Sequence, residues 1–395
     1  MLEEYKLKLD DAGKTLEVDG ENPNDQTEIV IPDNSNTPFP IGTQIKVYRG
    51  NEKKVTLRGE TSNLKLNSSS KNLGLFSFFI PKFTETQIRK RALNEWHVNA
   101  KGIPLTFAEG GNEIFVIEQD GILYRVHVFA KVGESEFEVI GNAGEVEYLV
   151  VAGGGGGTHG GGASATGGSG GGGVLNGSFS TSTQTYNVIV GLGGAGGTVN
   201  FPGMMGTNGE DSSVFGVTAF GGGVGAGGGD SVGTTDAAAR NANTSGGSGG
   251  GGTGWRGSTS SGAAGTENQG FGGGNGFETN TSNRAGGGGG GASQPGQNAS
   301  NTRGGVGGNG RVSTITGTSV VYGGGGGGIA RNEPSGGPVS GGAGGGGAGR
   351  IGDGDSNGVN GLGGGAGGTA SRSNNTGASG GSGIVIVRYE IAQPS

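Results

Sequence analysis

Cysteine is absent from the 395-residue chain, so disulfide bonds and thiolate metal sites are excluded. Aromatic residues make up only 6% of the sequence, and the first 150 residues alone look able to form conventional hydrophobic cores. Positive charge is in deficit: 26 Lys and Arg against 33 Asp and Glu leave a net charge of −7. This balance argues against a surface that binds nucleic acid. No apolar stretch is long enough to span a bilayer.

Glycine is the residue in excess. Of 101 glycines, 13 lie in residues 1–150 and 88 in the remaining 245, a collagen-like fraction. Collagen is excluded because the glycine has no strict three-residue period and little proline accompanies it. A flexible linker is the simplest alternative. However, hydrophobic strands precede and follow the tract, as VEYLVVA at 146–152 and GIVIVRYEI at 383–391, which favours an ordered domain.

The first hundred residues alternate apolar and polar side chains, which is typical of strands. Residues 5–18 predict a β-hairpin that turns at Asp10–Lys14. A polar linker follows, and then short strands predict an all-β domain ending near Ala100. The segment TETQIRKRALNEW predicts strands on either side of a turn at Leu93–Glu95.

Two stretches resemble known phage proteins. The sequence FPIGTQIKV, followed by short strands and NEWHV, resembles a small β module of phage tail-fibre and virion proteins over residues 27–100. This resemblance implies a homotrimeric fibre. VEYLVVAGGGGG, TYNVIVGLGGAGG and GGSGIVIVRY together resemble the glycine-rich domain of the same proteins over residues 106–391. Strands over 113–151, with a hairpin turn at Gln119–Gly121, and later strands to 220 predict a β-sandwich that roots the glycine tract.

The glycine runs recur. They begin near residues 246, 265, 286, 304, 323, 341, 361 and 377, a period near 20 that predicts a repeat of one glycine rod and one loop. Extended polyglycine forms a left-handed helix with three residues per turn, whose outward amides need partners from neighbouring rods. This arrangement resembles the polyglycine sandwich of T-even-type phage adhesins.

Three residues per turn separate two classes of rod. Runs 286–291 and 323–328 are all glycine, which predicts interior rods. The sequences GGVGGNG at 304–310 and GGAGGT at 193–198 and 364–369 predict surface rods with a side chain at every third position. Rods that alternate in direction would place loops 230–245, 277–285, 311–322 and 350–360 at one end. Loops 258–264, 292–303, 329–340 and 369–376 would lie at the other.

No constellation indicates a reaction, so we expect no enzyme, cofactor or metal site. Gly-x-Ser-x-Gly occurs at Ser169, Ser248 and Ser379, but matches by chance are expected in such a composition. Asp353 to Gly358 begins like a calcium loop and lacks its bidentate Glu. Large side chains in the loops predict either packing at rod ends or receptor contact. The candidates for receptor contact are Arg240, Trp255, Arg256, Phe277, Arg284, Arg303, Tyr322 and Arg331.

We therefore expect an all-β protein in which a β-sandwich roots a bundle of polyglycine II helices. The predicted ranges are a hairpin and linker at 1–26, the fibre module at 27–105, the sandwich base at 106–229, the bundle at 230–383 and a closing strand at 384–395. The resemblance implies a phage virion fibre or adhesin subunit, made in the host cytoplasm. It would bind other virion proteins through its N-terminal region and a host polysaccharide or outer-membrane protein through its loops.

Three alternatives stay open: a structural virion connector or decoration protein, a fibre-borne depolymerase and an ice-binding protein. Binding to host cells distinguishes the first from an adhesin, and release of reducing sugar would identify the second. An ice-binding protein needs a flat, regularly spaced face.

Overall fold

The chain divides into two units. The N-terminal unit contains Met1–Phe107 with Glu390–Ser395, and the glycine-rich unit contains Ala108–Tyr389. The computed structural model describes residues 2–18, 26–49, 54–59, 65–68, 71–72, 78–80, 84–92, 95–101, 108–120, 122–139, 144–160, 165–198, 205–227, 244–255, 258–280, 283–301, 303–331, 338–351, 356–370 and 376–391. Over these ranges, no helix has the length and apolar character to cross a membrane.

Two sheets enclose the core of the N-terminal unit. The strands are β1 Leu2–Lys6, β2 Thr15–Val18, β3 Gln26–Ile31, β4 Gln44–Arg49, β5 Lys54–Gly59, β6 Lys65–Ser68, β7 Lys71–Asn72, β8 Phe78–Ile80, β9 Thr84–Ala92 and β10 Glu95–Lys101. One sheet has the order β1-β3-β5-β8 and the other β2-β4-β9-β10-β6-β7. Ile29 and Leu57 from the first sheet pack with Val47, Ile88 and Trp96 from the second.

The predicted hairpin over residues 5–18 is wrong. β1 pairs in parallel with β3, and β2 pairs in parallel with β4, so the two strands belong to different sheets. A short 3-10 helix at Leu9–Asp11 joins them, and Asp11 accepts the Lys8 amide at 2.7 Å. Leu7 is buried in the core between the two sheets. The apolar side chains of this alternating segment therefore pack against the opposite sheet and not against a hairpin partner. In contrast, β9 and β10 pair antiparallel, which confirms the two predicted strands, while Leu93 and Asn94 lie outside the described residues.

The glycine-rich unit contains a β-sandwich. Its strands are β11 Ala108–Glu109, β12 Glu113–Gln119, β13 Ile122–Phe129, β14 Gly133–Val139, β15 Glu145–Val151, β16 His159–Gly160, β17 Val174–Ser180, β18 Thr185–Val190, β19 Ser212–Val214 and β20 Val217–Ala219, followed by nine further strands given below. The sheets are β11-β14-β18-β19-β20 and β12-β13-β29-β15-β17, where β29 is Ile384–Ile391. The predicted β12–β13 hairpin is confirmed, and Asp120 takes the positive φ of 55° that such a turn needs.

The framing strands are continuously apolar over Leu149–Val151 in β15 and Ile384–Val387 in β29, where both faces of their sheet are covered. Val150 and Val387 face the other sheet across an aromatic-rich core. Leu149 and Ile386 face the opposite way and pack against Ile315, which lies outside the sandwich. β15 and β29 are also hydrogen-bonded neighbours, so the glycine tract leaves and returns at adjacent strands.

Between these strands, the glycine segments hydrogen-bond with a period of three residues. In the rod at 152–157, successive amides donate in rotation to three other rods. The bonds run from Ala152 to Gly173, Gly153 to Glu210, Gly154 to Gly381, Gly155 to Gly170, Gly156 to Thr207 and Gly157 to Ala378, at 2.7–3.0 Å. Every third residue therefore returns to the same neighbour. This is the pattern of a helix with three residues per turn.

Interior rods contact six neighbours, as in polyglycine II. The rod at 286–291 is wholly buried, which confirms its predicted interior place. It donates to rods at 326–329, 249–252 and 294–297, and it accepts from rods at 168–171, 271–274 and 305–308. A Cβ added at Gly289 would lie 2.0 Å from the Ser169 carbonyl oxygen. Only glycine allows the backbones to approach this closely.

The sequence predicted three surface rods with an outward side chain at every third position, and two of them have this arrangement. In the rod at 191–198, Leu192, Ala195 and Thr198 are exposed, whereas Gly194 and Gly197 are buried. The rod at 304–310 likewise turns Val306 and Asn309 outward, both more exposed than the glycines around them.

The rod at 364–369 does not lie at the surface as predicted, because residues 363–368 are all buried. Ala366 is fully buried, so an interior rod tolerates a methyl group at this point. Ser169 is also fully buried in an interior rod. Its hydroxyl donates to Gly156 O at 2.9 Å and accepts from the Gly225 amide at 3.2 Å. A small side chain can therefore replace one direct rod contact.

The repeat of about 20 residues contains two rods, not one rod and one loop. After rod 286–291 the chain turns at 292–294 and runs back as rod 294–299, since Gly291 donates to Gln294 and Gly288 to Gln297. The first rod runs parallel to rod 167–173, which leads directly into β17. The turn at 292–294 therefore lies at the end next to the sandwich, here called the sandwich end.

The predicted alternation of loops between two ends is consequently wrong. The chain reverses at both ends of the bundle, but three of the four small sheets described between the rods lie at the opposite end, here called the far end. The sheet elements there are β16, β21 Gly254–Trp255, β22 Ser258–Thr259, β23 Phe277–Asn280, β24 Asn283–Ala285, β27 Arg350–Ile351 and β28 Thr369–Ala370. The hairpin of β25 Arg311–Ser313 and β26 Val320–Tyr322 lies at the sandwich end, where Ile315 and Tyr322 cover the sheet. The bundle also begins at Ala152, well before the predicted range 230–383.

Close approach makes interior positions intolerant of added atoms. We expect Gly289→Ala to lower the free energy of unfolding of the glycine-rich unit by about 3 kcal/mol or more, because the new methyl group forces backbones apart. Ala195→Val adds carbon atoms at an exposed position of a surface rod and should change it by less than about 0.5 kcal/mol. Chemical denaturation of both variants checks this, and equal losses would contradict six-neighbour packing.

His127 is a buried titratable group in the sandwich core. Its Nδ1–H donates to Gly110 O at 2.7 Å, and its Nε2 accepts from the Tyr389 hydroxyl at 3.3 Å. The ring packs edge-on against Phe137. Burial lowers the pKa of His127 from 6.5 to about 3, although the Gly110 hydrogen bond raises it in part. The folded protein therefore holds this imidazole neutral.

Stability should fall as pH drops below 6.5, because the unfolded chain then binds a proton that folded His127 does not. The loss reaches about 2 kcal/mol at pH 5 and continues towards pH 3. We expect His127→Asn, which keeps a donor but cannot titrate here, to show a shallower decrease between pH 7 and pH 5. Denaturation at both pH values measures the two slopes, and identical slopes would refute the assignment.

Candidate functional site

The far end of the bundle carries three short sheets. β21 pairs with β22, and β23 pairs with β24, each as an antiparallel hairpin. The third sheet is parallel and has the order β16-β28-β27.

The β23–β24 hairpin is held by a buried ion pair. Arg284 Nε donates to Glu278 Oε1 at 3.1 Å, and both side chains are 3% exposed. Removing one partner of such a pair leaves an uncompensated buried charge. Arg284, a candidate for receptor contact, is therefore engaged inside the hairpin and is not accessible from outside.

Tyr322 lies at the other end of the bundle. It is 3% exposed and packs beneath the sandwich with Val126, Leu149 and Ile315. Burial raises the pKa of its phenol. This tyrosine packs where the bundle meets the sandwich. It therefore has the packing role that the sequence offered as the alternative to receptor contact.

The remaining candidates are distributed over the far end. Trp255 lies on β21, and Phe277 is half-buried at the start of β23. Arg303 is exposed, and its carbonyl accepts the Ser300 amide at 2.9 Å. Arg331 is half-buried, and its amide donates to Arg284 O at 2.9 Å. Arg240 and Arg256 lie outside the described residues.

The parallel sheet brings together residues that the sequence did not associate. His159 pairs with Thr369, and Thr369 pairs with Arg350 on its other side. In the sequence, His159 precedes Arg350 and Thr369 by about 190 and 210 residues, so no local pattern could connect them. Within the described ranges, no group of three His, Asp or Glu side chains could hold a metal ion.

Comparison with known proteins agrees with this architecture. A family model described as a glycine-rich domain matches residues 130–390, more than half of the chain. The match extends from the sandwich through the whole bundle to β29. The search of curated proteins found no match. The chain therefore belongs to the glycine-rich domain family.

Proposed function

We propose that this chain is a phage virion fibre or adhesin subunit that binds a host cell surface through the far end of its bundle. One observation carries the proposal: of the four small sheets described between the rods, three lie at a single end, opposite the sandwich, and only the β25–β26 hairpin lies at the sandwich end. Loops on a rigid scaffold are where binding residues concentrate. The binding residues of this proposal are the far-end candidates Trp255, Phe277, Arg303 and Arg331, with Arg240 and Arg256.

The N-terminal unit would attach the subunit to other virion proteins. The resemblance of residues 27–100 to a phage-fibre module supports this role and a homotrimer. Three copies would present three far ends, and several weak contacts on one particle would gain from avidity. The partner would be a surface polysaccharide or an outer-membrane protein, and binding would be reversible.

Cell binding tests the proposal. Fluorescently labelled full-length protein should bind at least one strain in a panel of bacteria, and Arg303→Glu should weaken that binding about tenfold. Reversing an exposed charge at an interface removes an attraction and adds a repulsion. Flow cytometry with increasing protein concentration gives both affinities.

The matched control is Arg89→Glu, which reverses another exposed arginine, on β9 of the N-terminal unit. It should leave cell binding unchanged. If far-end substitutions never reduce binding, the receptor surface lies elsewhere. If the protein binds no cell but binds other virion proteins through the far end, the chain is a structural connector, the alternative function.

A further inference from the structure

The parallel sheet at the far end places polar side chains side by side. His159, Thr369 and Arg350 occupy paired positions on three adjacent strands, so their side chains lie on the same face. Ile351, the next residue on β27, is 51% exposed. We call β16, β28 and β27 with Ser356 the three-strand patch. Ser356 belongs to it because its carbonyl accepts the Gly367 amide at 2.8 Å, two residues before Thr369.

Several hydrogen-bonding groups of this patch have no partner within the part of the chain that the structure describes. Arg350 Nε, Thr369 Oγ1 and Ser356 Oγ are buried atoms with no hydrogen bond among the described residues. His159 is only 7% exposed, and no described residue hydrogen-bonds to its ring. A buried polar group without a partner costs about 1–3 kcal/mol. Native proteins tolerate few of them, and each one calls for a water, an ion or a role in function.

The chemistry of these groups selects the missing partner. A guanidinium can only donate hydrogen bonds, and both hydroxyls can donate. Burial lowers the pKa of His159, so the ring is neutral and offers one N–H. The Arg350 guanidinium is the only formal charge on these described residues. The partner that fits is an oxygen acceptor with negative charge, since charged acceptors form the stronger hydrogen bonds.

We propose that the three-strand patch binds an anionic group carried on a saccharide. This deepens the proposed function, on which it rests, by naming the chemical class of the receptor. Arg350 would supply the charge, and Thr369, Ser356 and His159 would orient the acceptor oxygens. A uronic acid carboxylate and a sugar phosphate share this chemistry.

Titration with small probes tests the site directly. We would label the histidines of the full chain for NMR and add sodium glucuronate, inorganic phosphate, glucose or calcium at constant ionic strength. The His159 resonances should shift saturably with glucuronate or phosphate and stay unchanged with glucose. The anion that binds with the higher affinity shows whether the receptor group is a carboxylate or a phosphate. The buried His127 serves as an internal reference that reports intact folding.

Arg350→Gln should weaken binding of the anion about tenfold or more, because the substitution removes the charge-assisted hydrogen bonds. Arg350→Lys, which keeps the charge, should retain part of the affinity. Arg89→Gln, which changes an exposed arginine on β9 of the N-terminal unit, is the matched control and should bind the anion normally. No saturable shift, an equal response in Arg350→Gln, or a response to calcium alone would each overturn the proposal. Calcium is included as a probe because Asp353 and Asp355 lie nearby in the sequence, outside the described residues.

Cell binding separates this inference from the proposed function. If Arg350→Gln still binds cells fully and no anion shifts His159, the adhesin stands and its anionic site falls. If the anion binds His159 and Arg350 as expected but no cell is bound, the site stands and the adhesin proposal falls.

Discussion

Backbone hydrogen bonds between closely packed rods are the interaction on which the glycine-rich unit depends. Each interior rod satisfies its amides and carbonyls against six neighbours, and the bonds repeat every three residues. Ordering glycine costs more backbone entropy than ordering any other residue. The unit offsets that cost through the density of hydrogen bonds, because it has few side chains to bury. Where side chains do pack, in the sandwich, they fix where the rods begin and end.

The sequence predicted the parts whose physics is local. Strand patterns over β12 to β15 and the apolar run of β29 predicted the sandwich, and the run at Gly286–Gly291 predicted an interior rod. The rod at 294–299 could not be predicted because its sequence, QPGQNA, contains only one glycine and has the composition of a loop. It lies at the bundle's side, where side chains can point outward. Missing these polar rods doubled the apparent repeat and produced the wrong distribution of loops.

Pairing partners and burial could not be predicted in the same way. Alternation in residues 5–18 shows that each strand has a buried face but does not name its neighbour, so two strands of different sheets resembled a hairpin. Among the candidate site residues, residue type alone could not separate exposed Arg303 from Arg284, which an acidic neighbour on the same hairpin buries. His159 and Thr369 meet only after several rods have been placed between them.

The adjacency of β15 and β29 has a mechanical meaning. The whole tract from Ala152 to Gly383 leaves and re-enters through two strands that bond to each other directly. Tension applied along the chain on either side of the tract pulls at Glu147 and Arg388, the same end of this antiparallel ladder, so it opens the ladder one hydrogen bond after another before any rod is stretched. Force applied to the chain therefore bypasses the bundle. The hydrogen bonds between rods stay unloaded until β15 and β29 separate.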